Sequence, residues 1–288
     1  MTIVLTGLSN NYALPGEFVQ IQFAQGPSSG ASAAYNALLV GNMLSTGDAD
    51  VEKVYGPDSV ISLSSEGDFV ARFGEGSELH RMAKRFLSVN TSTPLYAIAV
   101  AEGTGAGQAD GYVTVTGTAT GSATLRVFVG DESVDVGVAA GDTETDIASA
   151  VELTVNSMTS WGCTASVDFL AAGSVRLLAK QGGLRGNLLK LEVQLISNAD
   201  IGVTVSPTTV TAFANGTVSD DVANALAVIE AYRYYYSVAA HEDASNLGKI
   251  KAQVSAQALP LTGIRQRYLA GSSEASVATV NGVALGLN

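Results

Sequence analysis

Strand-like and helix-like segments alternate on both sides of a valine- and threonine-rich middle. This predicts an α+β or α/β protein: a discontinuous mixed α/β core domain, an inserted β-rich, sandwich-like domain with one helix, and an extended N-terminal arm. Three observations carry that expectation. Residues 17–101 and 217–288 mix apolar strand-like runs with capped, helix-periodic segments. Residues 112–216 repeat short Val/Thr alternations between glycine-rich turns, with residues 102–111 as a Gly/Ala/Gln linker before them. Residues 1–16 hold a β-prone stretch broken by Asn10-Asn11 and closed by the turn Pro15-Gly16.

Taken in order, Glu17 to Phe23 alternates polar and apolar, the period of a half-buried strand. The run Leu38-Leu39-Val40 is continuous and reads as a buried strand ending at Gly41. Ser64 or Ser65 caps a short helix holding Phe69, Val70 and Phe73, stopped by Gly74 and Gly76. Ser77 caps a second helix, Glu78 to Leu87, with Leu79, Met82, Ala83, Phe86 and Leu87 at helical spacing. Pro94 opens a strand from Leu95 to Val100.

In the middle, strands are expected at 112–116, 124–129, 134–138, 164–170, 175–179, 189–196 and 203–213. Gly130-Asp131 marks a hairpin turn. Asp142 caps a helix whose inward face is Ile147, Ala148, Val151 and Val155. After it, Ser219-Asp220-Asp221 caps a helix, Tyr234 to Ala239 is a strand, and Asp243 caps a helix running to about Gln257. A strand from Ile264 to Leu269 follows, then a weak helix from Ser273. The pattern stops at Asn288 without a closing strand, so this second part of the core is expected to be truncated.

Composition narrows the functions. Of 288 residues, 47% are hydrophobic and 15% charged, enough apolar material for a substantial core. No apolar run approaches the roughly 20 residues of a membrane span, and the first residues lack the basic and apolar regions of a secretory signal. The net charge of −12, with scattered basic residues, argues against nucleic-acid binding. Cys163 is the sole cysteine, which excludes an intrachain disulfide; beside Trp161 it reads as a small buried hydrophobe.

Residues able to do chemistry are few. His241, in Ala240-His241-Glu242-Asp243, follows a strand, the place where α/β proteins set their sites. Yet Asp243 is already explained as a cap, and no second His–carboxylate cluster exists for a metal. The other histidine, His80, lies inside a helix. Gly74-Glu75-Gly76-Ser77 is explained as a helix stop plus a cap, and Gln181 to Asn187 lacks the Lys-Ser/Thr of a phosphate loop and reads as a tight turn. Tyr232 to Tyr236 reads as a helix end and a buried strand with rings in the core. No catalytic residue, metal site or cofactor is assigned, and the chain is not expected to be an enzyme.

The N-terminal arm is the distinctive feature. A β-prone arm with unmet backbone groups pairs with a sheet edge, and a head-to-tail version of that contact builds helical arrays. Ile3, Val4, Leu5, Phe18, Val19, Ile21 and Phe23 are the expected subunit-interface residues.

Several segments, in order, carry a family resemblance. They are Leu14-Pro15-Gly16-Glu17-Phe18-Val19-Gln20-Ile21, Phe73-Gly74-Glu75-Gly76-Ser77-Glu78-Leu79, Val113 to Thr120, Ala139 to Thr143 with Ile147-Ala148, and Ala179 to Asn187. The chain resembles the sheath proteins of contractile bacteriophage tails, of the Mu-like branch. Departures are Glu17-Phe18 where an aromatic Tyr is common, and Gln181 and Gly183 in the last segment. Family members are also longer and carry a C-terminal arm. The resemblance implies a virion tail protein, assembled in the host cytoplasm, that polymerises with copies of itself around a tail tube. It implies baseplate and tail terminator proteins as further partners, no nucleic acid and no membrane insertion. Contraction of the sleeve then drives the tube through the host envelope by repacking rigid subunits. The alternative is a phage or cell-surface binding module built on the β-rich insert, against which its few aromatics count.

Overall fold

The computed structural model describes residues 36–49, 51, 54–55, 63, 65–168, 171–260 and 262–271. They fall within one structural unit, residues 35–288. The expected arm, the strand from Glu17 to Phe23 and the helix from Ser273 lie outside the described residues.

The first elements are β1 (Ala37–Asn42), β2 (Val54–Tyr55), α1 (Glu66–Phe73), α2 (Glu78–Leu87) and β3 (Leu95–Val100). The β-rich insert follows with β4 (Gln108–Thr116), β5 (Ala123–Val129), β6 (Glu132–Val138), α3 (Glu144–Ser157), β7 (Cys163–Val167) and β8 (Ser174–Gly182). A 3-10 turn, Leu184–Leu188, then leads into β9 (Lys190–Ile196), β10 (Thr204–Ser206) and β11 (Thr211–Ala212). The chain returns to the first layer with α4 (Ala223–Ile229), β12 (Tyr236–Ala239), α5 (Ala244–Gln257) and β13 (Arg267–Ala270).

Among the described residues the α/β layer is a sheet in the order β13-β12-β1-β3-β2. β1 runs parallel to β3 and β12, and β12 parallel to β13; β2 is antiparallel to β3. Helices cover both faces, which explains the continuous apolar run in β1. Leu39 faces the side packed by Phe69, Phe73, Leu79 and Ala83 of α1 and α2. Leu38 and Val40 face the side packed by Ala225, Leu226, Ile229 and Ile250 of α4 and α5. The Phe69 and Phe73 rings lie 5.6 Å apart and are fully buried, contributing about 1.5–3 kcal/mol each by apolar burial.

The insert has two antiparallel sheets, β10-β4-β8-β7 and β11-β9-β5-β6. Val113, Val115, Leu125, Val127, Leu177 and Val193 fill its core, and α3 packs into the same core through Ile147, Ala148, Val151 and Val155. Val/Thr alternation therefore gives one buried and one solvated face per strand. The fold class is as expected: a mixed α/β layer interrupted by a β-rich, sandwich-like region with one helix.

Four local expectations are corrected. The segment 102–111 is not wholly a linker, because β4 begins at Gln108. Asp110 is buried there against Arg176 and Asn215, contacts remote in sequence. The cap of α3 is Thr143, forming a reciprocal capping box with Asp146, while Asp142 accepts from the Ala139 amide. Residues 203–213 are two short strands in different sheets rather than one. β12 begins at Tyr236 rather than Tyr234, whose ring is buried 5.4 Å from that of Tyr96. No helix among the described residues is long and apolar enough to cross a membrane.

Candidate functional site

The connection from β1 leads to β3 on one side, and that from β12 leads to β13 on the other. The carboxyl ends of β1 and β12 therefore flank a topological switch point, where open α/β sheets leave a crevice. Here the crevice is filled by a buried polar cluster. β1 supplies Asn42, the start of α2 supplies Glu78, and the residue pair beyond β12 supplies His241. Asp220 comes from the segment returning from the insert, and Arg185 from the 3-10 turn of the insert itself.

Arg185 is the hub. One terminal nitrogen, Nη2, pairs with Glu78 Oε1. The other, Nη1, donates to Asn42 Oδ1 at 2.9 Å and to His241 Nε2 at 2.9 Å. Asp220 Oδ2 lies 3.9 Å from Arg185 Nη1 and accepts from Asn42 Nδ2 at 3.1 Å. Its other oxygen accepts from the Gly103 amide at 3.1 Å. Glu78 Oε2 accepts from the Asn42 amide at 3.0 Å. Each carboxylate in the cluster thus meets a cation or two N–H donors, which is what a buried charge requires.

Local sequence holds these groups in place. Ser77 caps α2 through the His80 amide, which fixes Glu78 in the first turn, and the Glu78 amide donates to Gln181 Oε1 at 2.9 Å. Gly41 leaves room, since a Cβ there would stand 2.9 Å from Glu78 Oε2. Asp243 caps α5 by accepting from the Asn246 amide, directly after His241. The Asn246 side chain bonds the Asp220 carbonyl at 2.9 Å and the Val222 amide at 3.2 Å, anchoring the returning strand. Of the expected cap Ser219-Asp220-Asp221, Asp221 accepts from the Ala223 amide at the start of α4, while the N-cap position itself is Val222, without a side-chain bond, and Asp220 belongs to the cluster.

Burial lowers the Arg185 pKa to about 10, opposed by Asp220, Asp243 and Glu242, so it stays charged at neutral pH. Burial, reinforced by the Arg185 cation, lowers His241 to about 3, so its ring is neutral. Because Nε2 accepts from Arg185, the proton sits on Nδ1, which has no hydrogen-bond partner. The ring is 0% exposed. The histidine that the sequence marks as the best catalytic candidate is thus sealed in as an acceptor for an arginine. The cluster is a structural clamp between the α/β layer and the insert. Among the described residues no group of three or more His, Cys, Asp or Glu is placed to hold a metal ion.

A second seam lies along α2. Lys84 Nζ donates to Glu132 Oε1 at 2.9 Å and to Ser160 Oγ at 3.3 Å. Lys180 Nζ donates to the carbonyls of Thr159 at 2.6 Å and Glu75 at 3.4 Å. His80 is a helix fastener: Nδ1 accepts from the Gly76 amide at 3.0 Å, so Nε2 donates to Glu66 Oε1 at 3.0 Å. Gly74 and Gly76 both have φ above +80°, as a helix stop requires.

Cys163 is buried and its thiol is pushed up to about 11 by desolvation. Of the tyrosine run, Tyr234 is in the core, whereas Tyr232 and Tyr236 are exposed, correcting the expectation that the rings are all internal. Arg185 is the functional residue that sequence reasoning passed over. The available signal was an arginine between glycines in a chain poor in basic residues. Ile3, Val4, Leu5, Phe18, Val19, Ile21 and Phe23, the expected interface set, lie outside the described residues.

No protein-family profile matches the chain. It is 23% identical over 264 residues to the Mu-like prophage FluMu tail sheath protein of Haemophilus influenzae, covering 92% of this chain and 52% of that protein. The chain therefore spans about half the length of this curated relative. Among solved structures, a sheath tail protein from Desulfitobacterium hafniense matches at 14% identity, over 87% of this chain and 52% of that one, with a TM-score of 0.33. The D1-D2-D3 domains of the flagellar cap protein of Escherichia coli match at 20% identity, over 40% of this chain and 46% of that one, with a TM-score of 0.23.

Proposed function

We propose that this chain, a homologue of the Mu-like phage tail sheath proteins over 264 residues, is a structural virion protein that polymerises around a tail tube. Its partners are then copies of itself, the tube protein, and baseplate and tail terminator proteins. Contraction of the polymer drives the tube through the host envelope, and the energy for it is stored in subunit interfaces. The sequence match across 92% of the chain is the observation that carries this reading.

The proposed link between subunits is the arm, residues 1–16, together with the strand-like stretch holding Phe18, Val19, Ile21 and Phe23. It would add to a neighbour's sheet by β-augmentation. The division into the arm, the core at 17–101 and 217–288, and the insert at 112–216 belongs to the same proposal. A body that moves as a unit needs its parts clamped, and the Arg185 cluster supplies a clamp between core and insert.

Antibodies raised against this chain should decorate the tails of particles containing it at a regular axial repeat. Label confined to capsids or to fibre tips would sink the sheath reading. Removing residues 1–16 in such particles should leave bare tubes, whereas an intact sleeve would refute the arm's role alone.

A further inference from the structure

We propose that Arg81 anchors a binding site for a small oxyanion, of the size and chemistry of inorganic phosphate, at the seam between α2 and the β5–β6 hairpin. Arg81 lines three cavities, two of which, of about 220 and about 340 Å³, also share Gly162 and Leu189. Among the described residues Arg81 makes no ion pair, and its buried Nε has no hydrogen-bond partner. Other inward-set cations among the described residues are matched. Arg185 has Glu78, Lys84 has Glu132, Arg176 has Asp110, and Lys180 has two backbone carbonyls. A desolvated guanidinium with no contact ion pair is unfavourable, so Arg81 leaves a place for an anion that comes closer than Asp131 and Glu132 do.

The surroundings fit an oxyanion. The nearby carboxylates Asp131 and Glu132 act on Arg81 only through space, and Glu132 Oε1 is held by Lys84. Lys84 and Arg85 line the larger cavity beside Arg81, giving three basic groups against those two acids. Gly162 lets the guanidinium lie close against the backbone, since a Cβ there would stand 2.8 Å from Arg81 Cζ and push the side chain aside. With a water's share of liquid volume at about 30 Å³, the larger cavity holds a tetrahedral anion and several waters. Burial lowers the Arg81 pKa, the response of a cation deprived of solvent. A planar fork of donors is suited to two oxygens of one anion.

The test is thermal unfolding of the purified chain titrated with inorganic phosphate to about 10 mM against chloride at equal ionic strength, a range too dilute for general salting effects. The expected result is a saturable rise in Tm. Arg81→Gln should abolish that rise, and in phosphate-free buffer it should be no less stable than the parent, because it removes an uncompensated charge. Arg85→Gln should keep the rise. An equal phosphate shift in Arg81→Gln and parent would overturn the proposal. If Arg81→Gln does not fold, equilibrium dialysis of phosphate against the parent chain decides: one bound equivalent supports the site, and no binding at the same concentrations refutes it.

Discussion

Arg185 Nη1 donates to His241 Nε2 at 2.9 Å, joining the 3-10 turn of the insert to the carboxyl end of β12. Burial, with the Arg185 cation second, keeps the ring neutral, and the contact locks two parts of the chain that are 56 residues apart. Its consequences are measurable.

Arg185→Met should destabilise the protein by about 3–5 kcal/mol, because Glu78 and Asp220 lose their cation while remaining buried. Urea unfolding followed by circular dichroism checks this. The double variant Glu78→Gln with Arg185→Met should recover part of the loss, since one of the stranded charges is removed. A single-variant cost below 1 kcal/mol would mean the cluster is not a clamp.

His241 gives a pH signature. Its folded pKa of about 3 lies below its ordinary value of 6.5, so between those limits the unfolded chain binds the extra proton. The contribution is fully present above pH 6.5 and is lost as pH falls toward 3, amounting to about 2 kcal/mol at pH 5. His241→Asn should flatten the stability curve across that window. An unchanged slope would show that the ring is protonated in the folded state.

Gly76→Ala should be strongly destabilising. Its φ of +81° disfavours any side chain, at about 1–3 kcal/mol, and a Cβ would also strike the Trp161 carbonyl and stand 2.5 Å from Lys180 Nζ. Both obstacles belong to the insert, so the variant should loosen the α2 seam. Calorimetry is expected to show a lower Tm, and hydrogen exchange read by mass spectrometry a faster rate in β7.

Cys163 should resist alkylation in the native state. Its thiol is buried and its pKa is about 11, leaving almost no thiolate at pH 8. Iodoacetamide with mass spectrometry should give the unmodified mass natively and one adduct in guanidinium. Rapid native labelling would show that the β7 strand opens.

Much of the α/β layer was legible because its signals are local. Ser77 before Glu78–Leu87, Asp243 before α5 and the apolar runs of β1 and β3 act through bonds a few residues apart. Where competing caps stood side by side, as with Asp142 and Thr143, the choice went to the residue able to form a reciprocal box with Asp146. The start of β4 was not legible, because a Gly/Ala/Gln stretch becomes strand only when Asp110 meets Arg176, Asn215 and the Ala214 backbone.

Fold class, most helix boundaries, the inward faces of the strands and the scarcity of groups able to do chemistry follow from the order of residues alone. Hydrophobic period and capping are properties of neighbouring residues, so they survive without a structure. That Arg185, Glu78, Asn42, Asp220 and His241 form one buried cluster, and that Arg81 makes no ion pair among the described residues, emerges from contacts between distant segments. Those relationships depend on which distant charges share a low-dielectric space, and such pairing, unlike hydrophobic period or helix capping, leaves no local imprint on the order of residues.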